Sequence, residues 1–259
     1  MHKPNMILFD YGHTLIYEAS LDAVRGVREL LKHAVQNKRK LSAEAVGQFS
    51  SRISAEMGKV RDAGFEIHNH MFQRFVYEYL EITFDLTNDE MEDIFWDHFA
   101  PGQAMPHIEA LLKYLHEKGI LTGVISNISF SGGALERRIN RLIPGHHFAF
   151  IIASSEYAIR KPDPRIFTLA LRKAGLNPQE AWYCGDNPYF DIMGAASVGI
   201  YPVLYESSFV RPYGLTPPHH PEQSDDATSL SENANDTLSA IPHIVIKNWL
   251  ELIQILEML

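Results

Sequence analysis

Six polar residues, spread along the chain and each at or near the end of an apolar run, carry the chemistry this sequence offers. Asp10 closes the run Met6-Ile7-Leu8-Phe9, and Ser126 and Asn127 follow Ile120 to Ile125. Lys161 stands in Arg160-Lys161-Pro162-Asp163, and Asp186 and Asp191 lie in "GDNPYFD" after Ala181 to Cys184. Three carboxylates, a hydroxyl, an amide and one fixed cation suit transfer of a phosphoryl group. Clustered carboxylates repel one another unless a cation sits among them, and hard oxygen ligands beside a phosphate favour Mg²⁺. The metal and Lys161 together would offset the charge of both the phosphate and a carboxylate nucleophile.

Such a site needs elements that bring distant residues to one edge. Apolar runs at 6–9, 120–125, 148–152, 181–184, 200–204 and 243–246 read as strands buried on both faces. Helical patterns separate them, clearest from His107 to Lys118, where Ile108, Leu111, Leu112 and Leu115 share one face and Gly119 stands in the stop position. Strands alternating with helices predict an α/β fold, a Rossmann-like doubly wound parallel sheet, whose ligands bind at the carboxyl ends of the strands. The six polar residues fall at those ends.

Residues 18–100 read as helical throughout, with apolar stripes through Leu21 to Leu31, Val46 to Val60, Phe72 to Leu80 and Met91 to Phe99. They predict an all-helical module inserted between a first core segment, 1–17, and a second, 101–259. Residues 206–240 are rich in Ser, Pro, Asp and Asn and predict a long polar loop. His219-His220 within it reads as a solvated turn rather than a metal site. A closing helix is expected from Asn248.

Net charge is −9, with 23 basic against 32 acidic residues, which excludes general attraction to nucleic acid or an anionic membrane. No apolar run approaches the ~20 residues of a membrane helix. The single Cys184 rules out an internal disulfide framework and fits a reducing compartment, so a cytoplasmic protein is expected, monomer or homodimer.

The segments "ILFDYGHTL", "GVISN", "RKPDPRIF" and "WYCGDNPYFDIMGAASVGI" resemble the four ordered motifs of the haloacid dehalogenase superfamily, and the helical insertion resembles its C1-type cap. The resemblance covers essentially the whole chain except the polar loop. It implies a phosphatase acting on a small phosphorylated metabolite, with Asp10 as nucleophile of an aspartyl-phosphate. Ser126, Lys161 and Asn127 would bind the phosphoryl group. Asp10, the carbonyl of Gly12 and Asp186 would hold Mg²⁺, supported by Asp191, and Thr14 would steady the loop by hydrogen bonding.

One position departs from the pattern. Family phosphatases typically carry an Asp two residues after the nucleophile, to protonate the leaving alcohol and activate water; this chain has Gly12. General acid–base catalysis is worth ~10²–10⁴-fold, so its loss slows such an enzyme without abolishing it. His13, His68 and His70 are possible substitutes by position. Two other readings follow: a silent phosphate-binding protein, or a phosphonoacetaldehyde-hydrolase-like enzyme that uses a cap lysine, for which Lys32, Lys38, Lys40 and Lys59 are candidates. Arg52, Arg61, His68, His70 and Arg74 are candidates to face the substrate from the cap, and Phe72, Phe75, Tyr77 and Tyr79 read as cap core.

Overall fold

A computed structural model describes residues 2–209 and 240–259. The polar loop at 206–240, except its ends, and His219-His220 lie outside the described residues. Six parallel strands form the central sheet: β1 (Met6–Phe9), β6 (Leu121–Ser126), β7 (Phe148–Ala153), β8 (Ala181–Gly185), β9 (Tyr201–Tyr205) and β10 (Ile244–Ile246). Their order is β10-β9-β8-β1-β6-β7, which puts β1 in the middle. Every residue of β1 is buried because both faces are covered. Ile7 and Phe9 pack into one cluster with Leu111, Leu135 and Trp249, while Met6 and Leu8 pack into another with Ile166, Phe167 and Ala170. Alternation along a strand, with both sets apolar, is the signature of a sheet between two helical layers.

The register aligns the functional ends. Phe9 lies opposite Val124 of β6 and Cys184 of β8, so Asp10 leaves the sheet beside Ser126 on one side and Gly185-Asp186 on the other. The Asp10 amide donates to the Cys184 carbonyl at 2.9 Å, fixing where the carboxylate begins.

Helices α1 (Ala23–Leu31), α2 (Ala43–Asp62), α3 (Asn69–Tyr79) and α4 (Asn88–Phe99) surround their own apolar cluster of Val27, Leu30, Val46, Val76 and Ile82. The segment is not helical throughout, as its periodicity suggested. β3 (Ala34–Asn37) pairs antiparallel with β4 (Ile82–Phe84), and β2 (Ile16–Glu18) pairs antiparallel with β5 (Gly102–Ala104) where the chain leaves and re-enters the core. These strands have three or four residues each, too few to display a period of two, and their partners lie far away in sequence. Leu21 stands outside α1, ahead of its N-cap Asp22. Phe72 and Tyr77 belong to the module's core, but Phe75 and Tyr79 are exposed and stack with Phe49 on its surface.

Among the described residues the remaining α-helices are α5 (Ile108–Glu117), α6 (Gly132–Leu142), α7 (Pro164–Ala174), α8 (Gly194–Ser197) and α9 (Trp249–Glu257). No described helix is long and apolar enough to cross a membrane.

Candidate active site

Lys161 is the centre of the site. Its ammonium is almost fully buried and donates to Asp10 Oδ1 at 2.6 Å, to Asp191 Oδ1 at 2.6 Å and to the Tyr183 hydroxyl at 2.7 Å. Those three acceptors use all three N–H groups of the side chain. The Tyr183 hydroxyl passes the network on, within 3.2 Å of the Ile125 carbonyl. Burial works against the Lys161 charge, but Asp10 and Asp191 outweigh it and hold the pKa above the usual lysine value. Burial, first, and then Asp191 push the Asp10 carboxyl up to about 6, against the opposing pull of Lys161.

Asn127 holds the backbone of Lys161 at both ends. Its Oδ1 accepts from the Lys161 amide at 2.7 Å, and its Nδ2 donates to the Lys161 carbonyl at 2.9 Å. The residue expected as an extra phosphate donor therefore commits its amide to positioning the lysine. Asp191 is similarly engaged: Oδ1 takes Lys161, and Oδ2 accepts from the Asn187 amide at 2.9 Å. The approach of its carboxylate to β8 requires the glycine at 185, where a Cβ would lie 2.3 Å from Asp191 Cγ.

Oxygen atoms of Asp10, Asp186 and Asp191 lie within 4.8 Å of one another. Three carboxylates thus share a single ammonium, and ionised they leave a negative excess that a divalent cation would neutralise. The donor set, all hard oxygen, fits Mg²⁺ better than a metal of softer preference. Asp191 is engaged through both oxygens, by Lys161 and Asn187, whereas Lys161 takes only Oδ1 of Asp10. Gly12 and Asp186 line the same cavity.

That cavity has a volume of about 390 Å³ and opens onto Asp10, Gly12, Ser126, Lys161, Asp186 and Asp191 together. Every residue singled out for phosphate or metal therefore lines one cavity, whereas Thr14, expected to steady the loop by hydrogen bonding, does not line it. Its buried hydroxyl has no hydrogen-bond partner among the described residues. The loop after Asp10 is held by backbone bonds instead: the amides of Leu15 and Ile16 donate to the Tyr11 carbonyl at 2.9 and 3.1 Å, and that of His13 to the Ile16 carbonyl at 2.7 Å.

The substitutes considered for the absent Asp do not reach the cavity. His13 is buried with its ring edge-on to Tyr17 and does not line it. His70 Nε2 lies 2.9 Å from Glu92, and His68 Nε2 lies 3.4 Å from Glu156. None of Arg52, Arg61, Arg74, Lys32, Lys38, Lys40 or Lys59 lines the cavity either. Arg61 pairs with Glu66 at 3.2 Å, Lys32 with Glu29 at 2.5 Å, and Arg52 sits over the Phe49 ring. From residues 18–100 it is Glu18 and Leu21, ahead of α1, and Trp96 and Phe99, at the end of α4, that line the cavity.

Two buried polar assemblies join the module to the core, and neither has a sequence signature. Arg138 of α6 is 3% exposed; its Nε donates to the Tyr11 hydroxyl at 2.7 Å and its Nη2 to Glu18 at 3.0 Å and to the Ala100 carbonyl. Its guanidinium also lies over Trp96. One side chain thus ties the residue after Asp10 to both strands of chain that enter and leave the module. Burial pushes the Glu18 carboxyl up, against the pull of Arg138. Glu92 of α4 is fully buried and accepts from Asn69 Nδ2 at 2.9 Å, from His70, and from the amide and hydroxyl of Ser131. Ser131 caps α6, so this carboxylate crosses from module to core.

A family profile described as haloacid dehalogenase-like hydrolase matches residues 4–199. The chain is 34% identical over 124 residues to the phosphoserine phosphatase of Thermus thermophilus, covering 47% of this chain and 45% of that protein. It is 35% identical over 104 residues to the glyceraldehyde 3-phosphate phosphatase of Methanopyrus kandleri, covering 39% and 43%. The chain spans about half the length of the curated relatives it matches. Among solved structures, it resembles a 2-haloacid dehalogenase from Pseudomonas syringae with a TM-score of 0.61 and 22% identity over 100% of this chain and 99% of that one. A phosphatase from Thermococcus onnurineus follows with a TM-score of 0.59 and 21% identity over 97% of each chain. At these identities the structural likeness speaks for the fold.

Proposed function

This chain belongs to the haloacid dehalogenase-like hydrolases, and we propose that within that family it is a Mg²⁺-dependent phosphatase of small phosphomonoesters. The observation that carries the reading is the buried Lys161 ammonium holding Asp10 and Asp191 at 2.6 Å each. The phosphatase relatives support it from outside.

Asp10 is the nucleophile. Lys161 holds Oδ1, leaving Oδ2 to attack phosphorus, and with a pKa of about 6 the carboxyl is mostly ionised at neutral pH. As the Oδ2–P bond forms, the P–O bond to the alcohol breaks and the alcohol oxygen takes its proton from water, since Gly12 has none to give. Water then attacks the aspartyl-phosphate and gives up its proton to the hydroxide left by the first step, releasing inorganic phosphate and restoring the Asp10 carboxylate. Ser126, at the end of β6, binds a phosphoryl oxygen, and the Lys161 ammonium, its N–H groups held by Asp10, Asp191 and Tyr183, offsets the charge of the phosphoryl group. Asp10, Asp186 and the Gly12 carbonyl hold Mg²⁺, which supplies charge neutralisation of the phosphoryl group when bound. Asp191 and Asn127 keep Lys161 in place. Residues 18–100 act as a cap, with Trp96 and Phe99 shielding the leaving group from water.

A carbon–phosphorus hydrolase is disfavoured by the placement of Lys32, Lys38, Lys40 and Lys59 away from the cavity. The test is phosphate release from a panel of phosphomonoesters with and without Mg²⁺. Turnover that needs the metal and disappears in Asp10→Asn is expected; no turnover on any ester, or turnover that survives Asp10→Asn, overturns the reading.

A further inference from the structure

We propose that the alcohol released is apolar, an arylalkyl or branched alkyl alcohol, and not a polyol such as a sugar or glycerol. The inference rests on the phosphatase reading and specifies its substrate class.

The cavity has two chemically different walls. The phosphate side gathers the carboxylates, Ser126 and Lys161. The apolar lining is Leu21, Trp96, Phe99, Ile128, Phe130 and Phe190. Trp96 and Phe130 stack on each other with ring centroids 4.1 Å apart, so the pair is a rigid, apolar part of that wall. Leu21 is 38% exposed, ahead of α1 where no packing demands an apolar residue.

A polyol needs the opposite: donors and acceptors for each hydroxyl it buries, because an unpaired buried hydroxyl costs binding. Most of the polar groups near this wall are engaged within the protein. Asn127 holds the Lys161 backbone at both ends, and Asn187 Oδ1 accepts from the amides of Tyr189 and Phe190 at 2.9 Å each. Glu18 is paired with Arg138 at 3.0 Å, and Arg160 with Glu66 at 3.4 Å. Among the described residues the neutral hydroxyl and amide side chains lining the cavity are Tyr11, Ser126, Asn127 and Asn187, and the Tyr11 hydroxyl accepts from Arg138 Nε at 2.7 Å. A sugar here would trade water for aromatic carbon, whereas a ring or branched alkyl group gains from the same contact.

The test compares benzyl and cyclohexylmethyl phosphate with glycerol phosphate and glucose phosphate in Mg²⁺. All can be taken as esters of primary alcohols, so leaving-group acidity differs little. Burying one ring of phenylalanine size is worth roughly 10- to 150-fold, and kcat/KM for the two apolar esters is expected to exceed that for the polyol esters by at least about tenfold. Leu21→Asn, at an exposed position outside any helix, is expected to lower that ratio about fourfold, as loss of one buried methylene-sized contact does. If polyol esters turn over equally well or better, with metal dependence and loss in Asp10→Asn intact, the leaving-group assignment is wrong and the phosphatase reading stands. No metal-dependent turnover on any ester overturns both.

Discussion

Replacing Lys161 with Met keeps the length and bulk of the side chain and removes its charge. In the native fold three contacts are lost at once: Asp10 and Asp191 at 2.6 Å and Tyr183 at 2.7 Å. The two carboxylates remain buried and close together with no cation between them. Removing one partner of a buried ion pair typically costs 3–5 kcal/mol, mostly as the penalty of stranding the other charge, and about 4 kcal/mol is expected here. For a chain of this size that corresponds to a fall in Tm of roughly 10 °C. The loss must also depend on pH. Asp10 already titrates at about 6, above its unfolded value near 3.8, and without Lys161 its folded pKa rises further. A group whose folded pKa is raised disfavours folding above that pKa and is neutral toward it below the unfolded one, so the variant's deficit is full near pH 8 and shrinks toward pH 5. Urea denaturation of both proteins in chelator at the two pH values reads this directly. A deficit under about 1 kcal/mol at pH 8, or an equal deficit at pH 5, refutes the claim that Lys161 is the counter-charge of the site.

Gly12→Asp restores a proton-transfer group on the cavity wall and is expected to raise kcat about 100-fold in steady-state assays; an unchanged kcat shows that proton transfer does not limit turnover. Because Asp10 titrates at about 6, protons compete with metal for it, and Mg²⁺ affinity measured by calorimetry should fall about tenfold between pH 7 and pH 5. A flat profile removes Asp10 from the metal site. Glu92→Ala strands the donors of Asn69, His70 and Ser131 at the seam between module and core, and is expected to cost about 3 kcal/mol in urea denaturation. A cost below 1 kcal/mol would mean that water satisfies those donors and the seam is open.

The strands that carry the site were legible because each is a short apolar run buried on both faces and ended by a polar residue, as Met6 to Phe9 and then Asp10. Burial on both faces leaves nothing for the pattern to confuse. The ribbon of β3 and β4 was hidden for the opposite reason: Val35 is 70% exposed and the pairing partners are more than forty residues apart, so no local pattern marks them. Periodicity also fails to say which stripe of a helix meets the cavity. His68, His70 and Arg74 have suitable chemistry and lie along or just before α3, yet α4 supplies Trp96 and Phe99. Arg138 was invisible because its partners Tyr11 and Glu18 are 127 and 120 residues away; within "LERRINRL" it reads as one more charge on a solvated face.

The same charges explain how a site can tolerate glycine at position 12. An Asp there would be a fourth carboxylate facing a phosphate that already meets three, with a single ammonium among them. Lys161 has no N–H left to offer it, since Asp10, Asp191 and Tyr183 take all three. Gly12 therefore gives up a proton carrier and in return lowers the repulsion that an incoming phosphoryl group must overcome. The electrostatic share of catalysis, from lysine and metal, is usually the largest single contribution, and nothing at position 12 reduces it. It follows that Gly12→Asp should change two quantities in opposite directions: kcat rises, while the Mg²⁺ concentration needed for half-maximal rate and the KM for substrate at low Mg²⁺ both change against the enzyme. A variant that gained kcat with no greater dependence on Mg²⁺ would show that the fourth carboxylate carries no charge in the working site, and that the balance argued from Asp10, Asp186, Asp191 and Lys161 is incomplete.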